Sequence, residues 1–332
     1  MAEHHSHRVA VTGAAGRVGR HLVLDFLSKG IAVVAIVRSE QSAWELRKFL
    51  SQRLAPKRWQ GNLFIVTDDL SNAVRLAQTI HGCSDLFHLA ATIDYKLPLS
   101  KMMQLNTSPT RIAAFACRAT GCRMIFMSST SVVRKESSQP IDETTPSSPM
   151  NAYGKSKLLA ELAVMKSGAR YVIARFPIIY GEGFSEGFDK VIGMARKGKL
   201  MMIGNGENRI SFIHIGDVVS AFESVYVRQG VDSGVFYFSG HALTQRKTYA
   251  ILCSALGVPM PSSRLPKSFV IGALRARNTL YGLIGKKVSL SVENVRTLSD
   301  NREFDCGKAR RTFGWEPKVE FGKESLAPYL GN

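Results

Sequence analysis

Acidic residues are scarce in this chain of 332 residues. Its 26 aspartate and glutamate residues stand against 44 lysine and arginine residues, so the formal net charge is +18 at pH 7. This excess favours anionic partners, which include nucleic acid, acidic lipid and phosphorylated small molecules. Nucleic acid is the least favoured of the three, because no reading motif accompanies the charge.

Cysteine is sparse, and long apolar runs are absent. The five cysteines, at positions 83, 117, 122, 253 and 306, form an odd set without metal-ligand spacing, so neither a disulfide framework nor a metal site is predicted. No run of about twenty apolar residues could span a bilayer, and residues 1–7 lack the apolar core of a secretory signal. We therefore expect a cytoplasmic protein that does not cross a membrane.

A glycine-rich turn follows the first short apolar strand. Residues 12–19 read TGAAGRVG, and an amphipathic helix and a second strand come next. Such a turn sets a pyrophosphate against the free N–H groups of a helix, where a Cβ at Gly13 or Gly16 would obstruct it, and Gly19 allows close helix packing. Glycine triplets also occur in ordinary turns, but the flanking strand and helix favour a dinucleotide site. Its predicted members are Gly13, Ala15, Gly16, Arg17, Val18 and Gly19.

The end of the second strand indicates which dinucleotide is bound. An acidic residue there would bind the ribose hydroxyls of NAD, whereas an arginine can meet the extra phosphate of NADP. This chain has Arg38 at that position. NADP is therefore preferred over NAD, although a solvated surface arginine would give the same sequence.

Strand and helix patterns alternate as far as about residue 180. They predict an α/β fold with a doubly wound parallel sheet, the Rossmann arrangement, covered by helices on both faces. Its strands are expected at 8–12, 31–37, 63–66, 85–88, 124–127 and 171–174. We expect a dinucleotide-binding domain over 1–177, with returns near 212–240, and a smaller substrate lobe over 178–332 that closes over the sheet edge.

Two further patterns suggest an active site. Tyr153 and Lys157, in YGKSK, are four residues apart and share a helix face, so the ammonium can favour the phenolate and lower a tyrosine pKa that is normally about 10. Ser129, with Ser128 and Thr130 as alternates, ends a strand in IFMSSTS and can hold a substrate oxygen. Taken singly, these patterns also fit a solvated helix face and a serine-rich turn.

Together these motifs resemble the extended short-chain dehydrogenase/reductase superfamily, which contains nucleotide-sugar epimerases, dehydratases and 3β-hydroxysteroid dehydrogenase-like enzymes. The resemblance covers nearly the whole chain, from TGAAGRVG through DDL at 68–70, FHLAA at 87–91 and RFPIIYG at 175–181 to the closing segment 302–317. It implies a catalytic triad of Ser129, Tyr153 and Lys157, the last two also touching the cofactor. It implies further cofactor contacts by Asp69, Leu70, Leu89, Ala90, Ala91, Asn106 and Pro177, and substrate contacts by Thr92, Ser129, Tyr180 and Arg209.

The resemblance implies hydride transfer between nicotinamide and a secondary alcohol or ketone. Ile210 and Ser211 stand where nucleotide-sugar enzymes commonly carry Arg-Asp, and Val133-Arg134 where epimerases often carry Tyr-Gly. These departures favour an oxidoreductase for a hydrophobic, steroid-like or lipid-linked substrate. The alternatives are a nucleotide-sugar or lipid-linked sugar 4-epimerase that retains NAD, and a non-catalytic NADP-binding sensor or scaffold subunit.

The segment 264–291 has six basic residues and no acidic one. On a helical wheel one arc holds Val270, Ala273, Leu274, Leu280, Tyr281 and Ile284, with Arg277 among them. We expect this helix either to pack on the substrate lobe or to rest on an anionic membrane, which would make the protein membrane-associated. A homodimer through the helices of Asn106 and Tyr153 is implied by the resemblance alone.

Overall fold

The computed structural model describes residues 8–133, 137–283 and 292–330. Its strands are β1 (Arg8–Thr12), β2 (Ala32–Val37), β3 (Leu63–Thr67), β4 (Asp85–His88), β5 (Arg123–Ser129), β6 (Tyr171–Phe176), β7 (Ile178–Tyr180), β8 (Met202–Ile203), β9 (Arg209–His214), β10 (Val235–Tyr237), β11 (Ala242–Thr244) and β12 (Arg264–Leu265). Its α-helices are α1 (Gly19–Ser28), α2 (Glu40–Ser51), α3 (Ala73–Ile80), α4 (Leu99–Met102), α5 (Ser108–Thr120), α6 (Ala152–Met165), α7 (Ser185–Arg196), α8 (Ile215–Val227), α9 (Gln245–Leu256), α10 (Lys267–Leu283), α11 (Val292–Ser299) and α12 (Gly307–Phe313).

Seven strands form one parallel sheet in the order β10-β6-β5-β4-β1-β2-β3. The predicted doubly wound sheet is therefore confirmed. Because the strands run the same way, the ends of β1, β4 and β5 meet at one edge, which brings Thr12, His88 and Ser129 to the same side. The strand order reverses between β1 and β4, and open α/β sheets bind ligands outside the carboxyl ends at such a point.

Apolar clusters cover both faces of this sheet. Val9 and Val11 pack into one cluster with Phe26 of α1, while Ala10 between them packs into the opposite cluster with Ala114 of α5. Successive side chains of a strand point to opposite faces, so a strand buried on both sides needs apolar residues throughout. This requirement explains the short unbroken apolar runs in the sequence.

Two smaller sheets follow the sixth strand. One has the order β11-β9-β7, and the other pairs β12 with β8. Of the returns predicted near 212–240, α8 packs on the main sheet and β10 joins it, whereas β9 belongs to a small sheet. The division of the chain at residue 177 stays a prediction.

Helix α10 does not present the apolar arc that the helical wheel predicts. Leu274 is buried and Val270 half-buried against the protein, whereas Leu280 of the same arc is exposed, so the arc is divided between two faces. Ile284 and the rest of 284–291 lie outside the described residues. None of the described helices is both long and apolar enough to cross a bilayer.

Candidate active site

The glycine-rich loop is held tightly between β1, α1 and the chain after β4. Gly13 has a φ of +66°, and a Cβ on it would lie 2.9 Å from backbone atoms of Ala90. A Cβ on Gly19 would lie 2.2 Å from the Gly13 carbonyl oxygen. The loop therefore needs glycine at position 13 because of its backbone conformation and the neighbouring chain, in addition to any need to admit a phosphate.

The first helix presents its N-terminus without a cap. Among the described residues no side chain caps α1, and its first turn has no acidic residue. In contrast, Ser39, Asn72 and Asn151 cap α2, α3 and α6. Uncapped N–H groups and the positive end of the helix dipole suit an anion. The loop and helix together fit the pyrophosphate of a dinucleotide, with exposed Arg17 beside them.

The DDL segment forms a strained turn after β3. The buried Asp68 carboxylate accepts the Leu70 N–H at 2.6 Å, and Leu70 has a φ of +58°, the only positive value of a non-glycine among the described residues. A left-handed leucine costs about 1–3 kcal/mol, and such strain clusters at ligand sites. Asp69 is exposed, and its bonds to Ser71 lower the pKa of the carboxyl. Sequence reasoning chose Asp69 and missed the positioning contact of Asp68.

A buried polar chain links the ends of β1 and β4 to the helices behind them. Thr12 Oγ1 and His88 Nδ1 are 2.8 Å apart, and His88 Nε2 lies 3.1 Å from Thr110 Oγ1, which donates to the Asn106 carbonyl at 2.7 Å. Burial, with the Lys157 charge, lowers the pKa of His88 to about 3. A neutral ring protonated on Nε2 satisfies every partner. Sequence reasoning missed His88 and Thr110.

Asn106 acts as a brace rather than an open ligand. It lies in a π-helical turn, Met103–Thr107, a feature frequent at functional sites. Its side chain accepts the Thr92 N–H at 2.8 Å and donates to the Thr92 carbonyl at 3.0 Å and to Ser156 Oγ at 3.1 Å. Asn106 therefore fixes the loop of Thr92 to α6. The cofactor contact predicted for Asn106 stays a prediction.

Tyr153 is buried at the start of α6. Asn151 caps this helix, and a Cβ on Gly154 would come within 2.4 Å of the Ser131 carbonyl, so the helix packs closely on the turn after β5. Burial and Tyr95, whose ring lies 5.8 Å from that of Tyr153, raise the pKa of the Tyr153 phenol, and a hydrogen bond with Ser129 opposes the rise. The side chains of this chain thus shift the pKa upward, opposite to the expected lowering by Lys157.

Lys157 lies one turn further along α6, also out of water. Its Nζ donates to the Met127 carbonyl at 2.6 Å and lies 4.1 Å from the centre of the Phe126 ring. Burial lowers the pKa of Lys157 to about 7, and the negative charge of Glu161 opposes the shift. The amine therefore bonds to the β5 backbone, and burial and Tyr95 determine the direction of the Tyr153 pKa shift instead.

Glu161 anchors a second buried network beneath this pair. Its Oε2 lies 2.7 Å from Arg175 Nη2, its Oε1 accepts the Ser128 hydroxyl, and Arg175 donates to Tyr237 Oη at 2.9 Å. Ser128 therefore faces away from Tyr153, which leaves Ser129 as the residue beside the phenol. Sequence reasoning missed the Glu161–Arg175 pair, although Glu161 follows Lys157 at the same four-residue spacing.

The remaining predicted residues fall into two groups. The first group lies near the site. In it, the N–H groups of Leu89 and Ala90 bond to Thr12. The other members are Ala91 and Arg38, which are exposed, and Ala15 and Pro177, which are half-buried. The second group does not line an open surface. Tyr180 is buried in an apolar cluster with Phe212 and Leu252, and its hydroxyl bonds to Ser325 at 3.4 Å. Arg209 is paired with Glu303 at 2.7 Å. Neither position supports the substrate contact that the sequence suggested for it.

Thiols and carboxylates do not form a second centre in the described ranges. All five cysteines are free, and four of them are buried. No group of three or more His, Cys, Asp or Glu residues there could hold a metal ion.

Comparison with known proteins agrees with this geometry. The sequence model of the NAD dependent epimerase/dehydratase family matches residues 9–236. A sterol-4-alpha-carboxylate 3-dehydrogenase of Dictyostelium discoideum is 23% identical over 95% of this chain and 98% of its own length. A methionine adenosyltransferase 2 subunit beta of Rattus norvegicus is 30% identical over 98% and 89%. A dTDP-glucose 4,6-dehydratase of Streptomyces venezuelae, solved with NAD, superimposes with a TM-score of 0.71 and 21% identity, covering 97% and 95% of the two chains.

Proposed function

This chain belongs to the NAD dependent epimerase/dehydratase family, and we propose that it is a nicotinamide-dependent ketone reductase for a hydrophobic, steroid-like or lipid-linked substrate. The observation that carries the proposal is the buried Tyr153 phenol beside Ser129, at the edge of the sheet that holds the glycine-rich loop. The retained phenol, amine and hydroxyl favour an enzyme over a non-catalytic subunit.

The chain would hold the cofactor through its loop and strand ends. The pyrophosphate would lie on residues 13–19 and the N-terminus of α1, and the nicotinamide, when bound, supplies or accepts the hydride. Ser129 would orient the substrate oxygen. Tyr153 would give that oxygen a proton from Oη as negative charge develops on it. Burial raises the pKa of Tyr153 further above neutrality, so the phenol keeps its proton at neutral pH and can donate it to a ketone oxygen.

Charge around the substrate lobe argues against a nucleotide-sugar diphosphate. Ile210 and Ser211 replace the Arg-Asp pair, and the nearest arginine, Arg209, is already paired with Glu303 at 2.7 Å. A diphosphate would have to break that pair to gain the charge of Arg209. The Dictyostelium relative is a sterol-4-alpha-carboxylate 3-dehydrogenase, which supports a hydrophobic substrate.

We infer NADP as the preferred cofactor from Arg38. This arginine is exposed at the end of β2, where the extra phosphate of NADP would lie, and the acidic residue nearest in sequence, Glu40, bonds to the Thr67 hydroxyl at 2.6 Å. The Streptomyces structure contains NAD, so the inference depends on Arg38 alone. Titration of the purified chain with NADPH and NADH should give tighter binding of NADPH.

Turnover of ketone substrates tests the proposal. The chain should oxidise NADPH in a one-to-one ratio with reduction of an apolar ketone, such as a 3-ketosteroid. Tyr153→Phe should abolish turnover while leaving NADPH binding unchanged. Tyr226→Phe is the matched control, since Tyr226 lies in α8 and packs on Phe26, and it should keep normal activity.

Three outcomes would contradict the proposal or its assignment of Tyr153. Turnover without net change of the dinucleotide would indicate an epimerase that returns the hydride to its substrate. NADPH binding without turnover of any ketone, sterol or sugar would instead indicate a binding subunit. Unchanged activity of Tyr153→Phe would remove Tyr153 from the reaction altogether.

A further inference from the structure

Helix α10 carries an apolar stripe that faces solvent. Phe269 is 63% exposed and Leu280 is 56% exposed. Between them, Gly272, Ala273 and Ala276 are exposed on the same face, at the three- and four-residue spacing of a helix. The opposite face packs inward, where Leu274 is only 7% exposed. The helix is thus apolar on both sides, and the fold uses only one of them.

The solvent side of α10 is also cationic. Arg275 is exposed on the helix beside the stripe, and Arg264 is exposed just before the helix begins. Between Asp232 and Glu293 the sequence contains no acidic residue. Lys267 lies on the inner side and pairs with Asp300 at 2.9 Å, so this pair anchors the helix to the protein. An apolar face flanked by arginines that have no ion pair within the described residues matches a surface that is itself apolar and anionic.

We propose that α10 docks on an anionic membrane interface. Phe269 and Leu280 would enter the boundary between headgroups and acyl chains, and Arg275 and Arg264 would meet the anionic headgroups. A second copy of the chain fits less well, because a symmetric contact would bring the same arginines together. The occupant is therefore a lipid surface.

Docking through α10 would also bring the substrate lobe to the membrane. Asp300, which pairs with Lys267, precedes Asn301, and Asn301 Oδ1 accepts the Arg209 N–H at 2.7 Å. The helix is thus linked to β9 through two adjacent residues. If the proposed function holds, this placement lets an apolar substrate pass from the bilayer to the site. The docking itself does not depend on that function.

Vesicle co-sedimentation of the full chain tests the docking. We expect binding to phosphatidylcholine vesicles that contain phosphatidylglycerol, weaker binding at high salt, and little binding to phosphatidylcholine alone. Phe269→Ser and Leu280→Ser should each weaken binding by about tenfold or more, from the loss of a buried apolar side chain. Arg275→Gln should weaken it by about fivefold. Val227→Ser removes an apolar residue that is even more exposed, at 71%, from α8 and should change nothing.

Several results would overturn the docking. These are no binding to anionic vesicles at low salt, binding that Phe269→Ser leaves intact, or an equal loss in Val227→Ser. A dimer that Phe269→Ser abolishes would assign the stripe to a second copy instead. Circular dichroism and reduction of a water-soluble ketone should be unchanged in the α10 variants. Since sedimentation needs no turnover, an inactive chain that binds vesicles would contradict the enzymatic proposal alone.

Discussion

Replacing Lys157 with methionine is expected to stabilise the fold in a pH-dependent manner. Lys157 is only 2% exposed, and burial lowers the pKa of its side chain from 10.5 to about 7. The folded chain therefore disfavours the ammonium form, and some stability is lost wherever the lysine carries its proton. Methionine has a similar length and does not titrate, so it removes this cost.

The sign and size of the effect follow from proton linkage. Between pH 7 and pH 10.5 the unfolded chain holds a proton on Lys157 that the folded chain has released. Stability of the unsubstituted chain should therefore rise with pH over this window, by about 1.4 kcal/mol per pH unit for one proton, with the full penalty present below about pH 7. The advantage of Lys157→Met should shrink by about 4 kcal/mol between about pH 7 and pH 10.

Urea unfolding followed by circular dichroism measures this advantage. Both the ammonium and the neutral amine can donate to the Met127 carbonyl, so losing this bond lowers the stability of the variant at every pH, and the test depends on how its advantage changes with pH. Lys155→Met, on the exposed side of the same helix, is the control and should follow the unsubstituted chain at every pH. An advantage of Lys157→Met that stays constant or grows from pH 7 to pH 10 would refute the reasoning.

Two further predictions concern the dinucleotide site. Gly13→Ala should destabilise the fold by about 1–3 kcal/mol and weaken NADPH binding, because its Cβ would meet the Ala90 backbone at a φ of +66°. Thermal unfolding and fluorescence titration measure both effects, and Gly193→Ala, in a helix with open space around it, should be neutral or stabilising. Arg38→Asp should move the preference from NADPH towards NADH by at least tenfold in kcat/KM, as expected when a charged phosphate contact is lost. Equal kcat/KM values for the two dinucleotides before and after the substitution would remove Arg38 from cofactor selection.

The main sheet could be predicted because its signal is local. Strands buried on both faces must be apolar throughout, and the ends of β1 and β4 agree exactly with the sequence expectation. β6 extends two residues beyond its predicted end, to Phe176, because pairing with β5 continues to Ser129. The two-residue strands β8 and β12 have no periodicity of their own. They form because the tertiary fold brings Met202 beside Arg264, and the sequence around each strand does not predict this pairing.

Site residues could be predicted from the sequence only where they lie at a regular spacing on one helix or at the end of one strand. Tyr153 and Lys157 lie on one helix, so their proximity could be read from the sequence, and the same holds for Ser129 at a strand end. The pair of Glu161 and Arg175 joins two elements and depends on the packing of α6 against β6. The upward shift that the side chains impose on the pKa of Tyr153 could not be predicted for the same reason, since burial and the Tyr95 ring are properties of the tertiary fold. A lowering by Lys157 together with the charge of bound oxidised nicotinamide stays a prediction.

The opposite pKa shifts of Tyr153 and Lys157 have one cause. Both side chains are withdrawn from water between α6 and β5, and burial disfavours the phenolate of one and the ammonium of the other. At neutral pH the chain therefore keeps a proton on Tyr153 Oη, while Lys157 Nζ gives up its proton far more easily than a free lysine. A protonated phenol beside the Ser129 hydroxyl is a donor for an oxygen that gains negative charge. The burial that destabilises the ammonium of Lys157 thus also keeps the Tyr153 phenol in the protonated form, which is the form that the proposed ketone reduction requires.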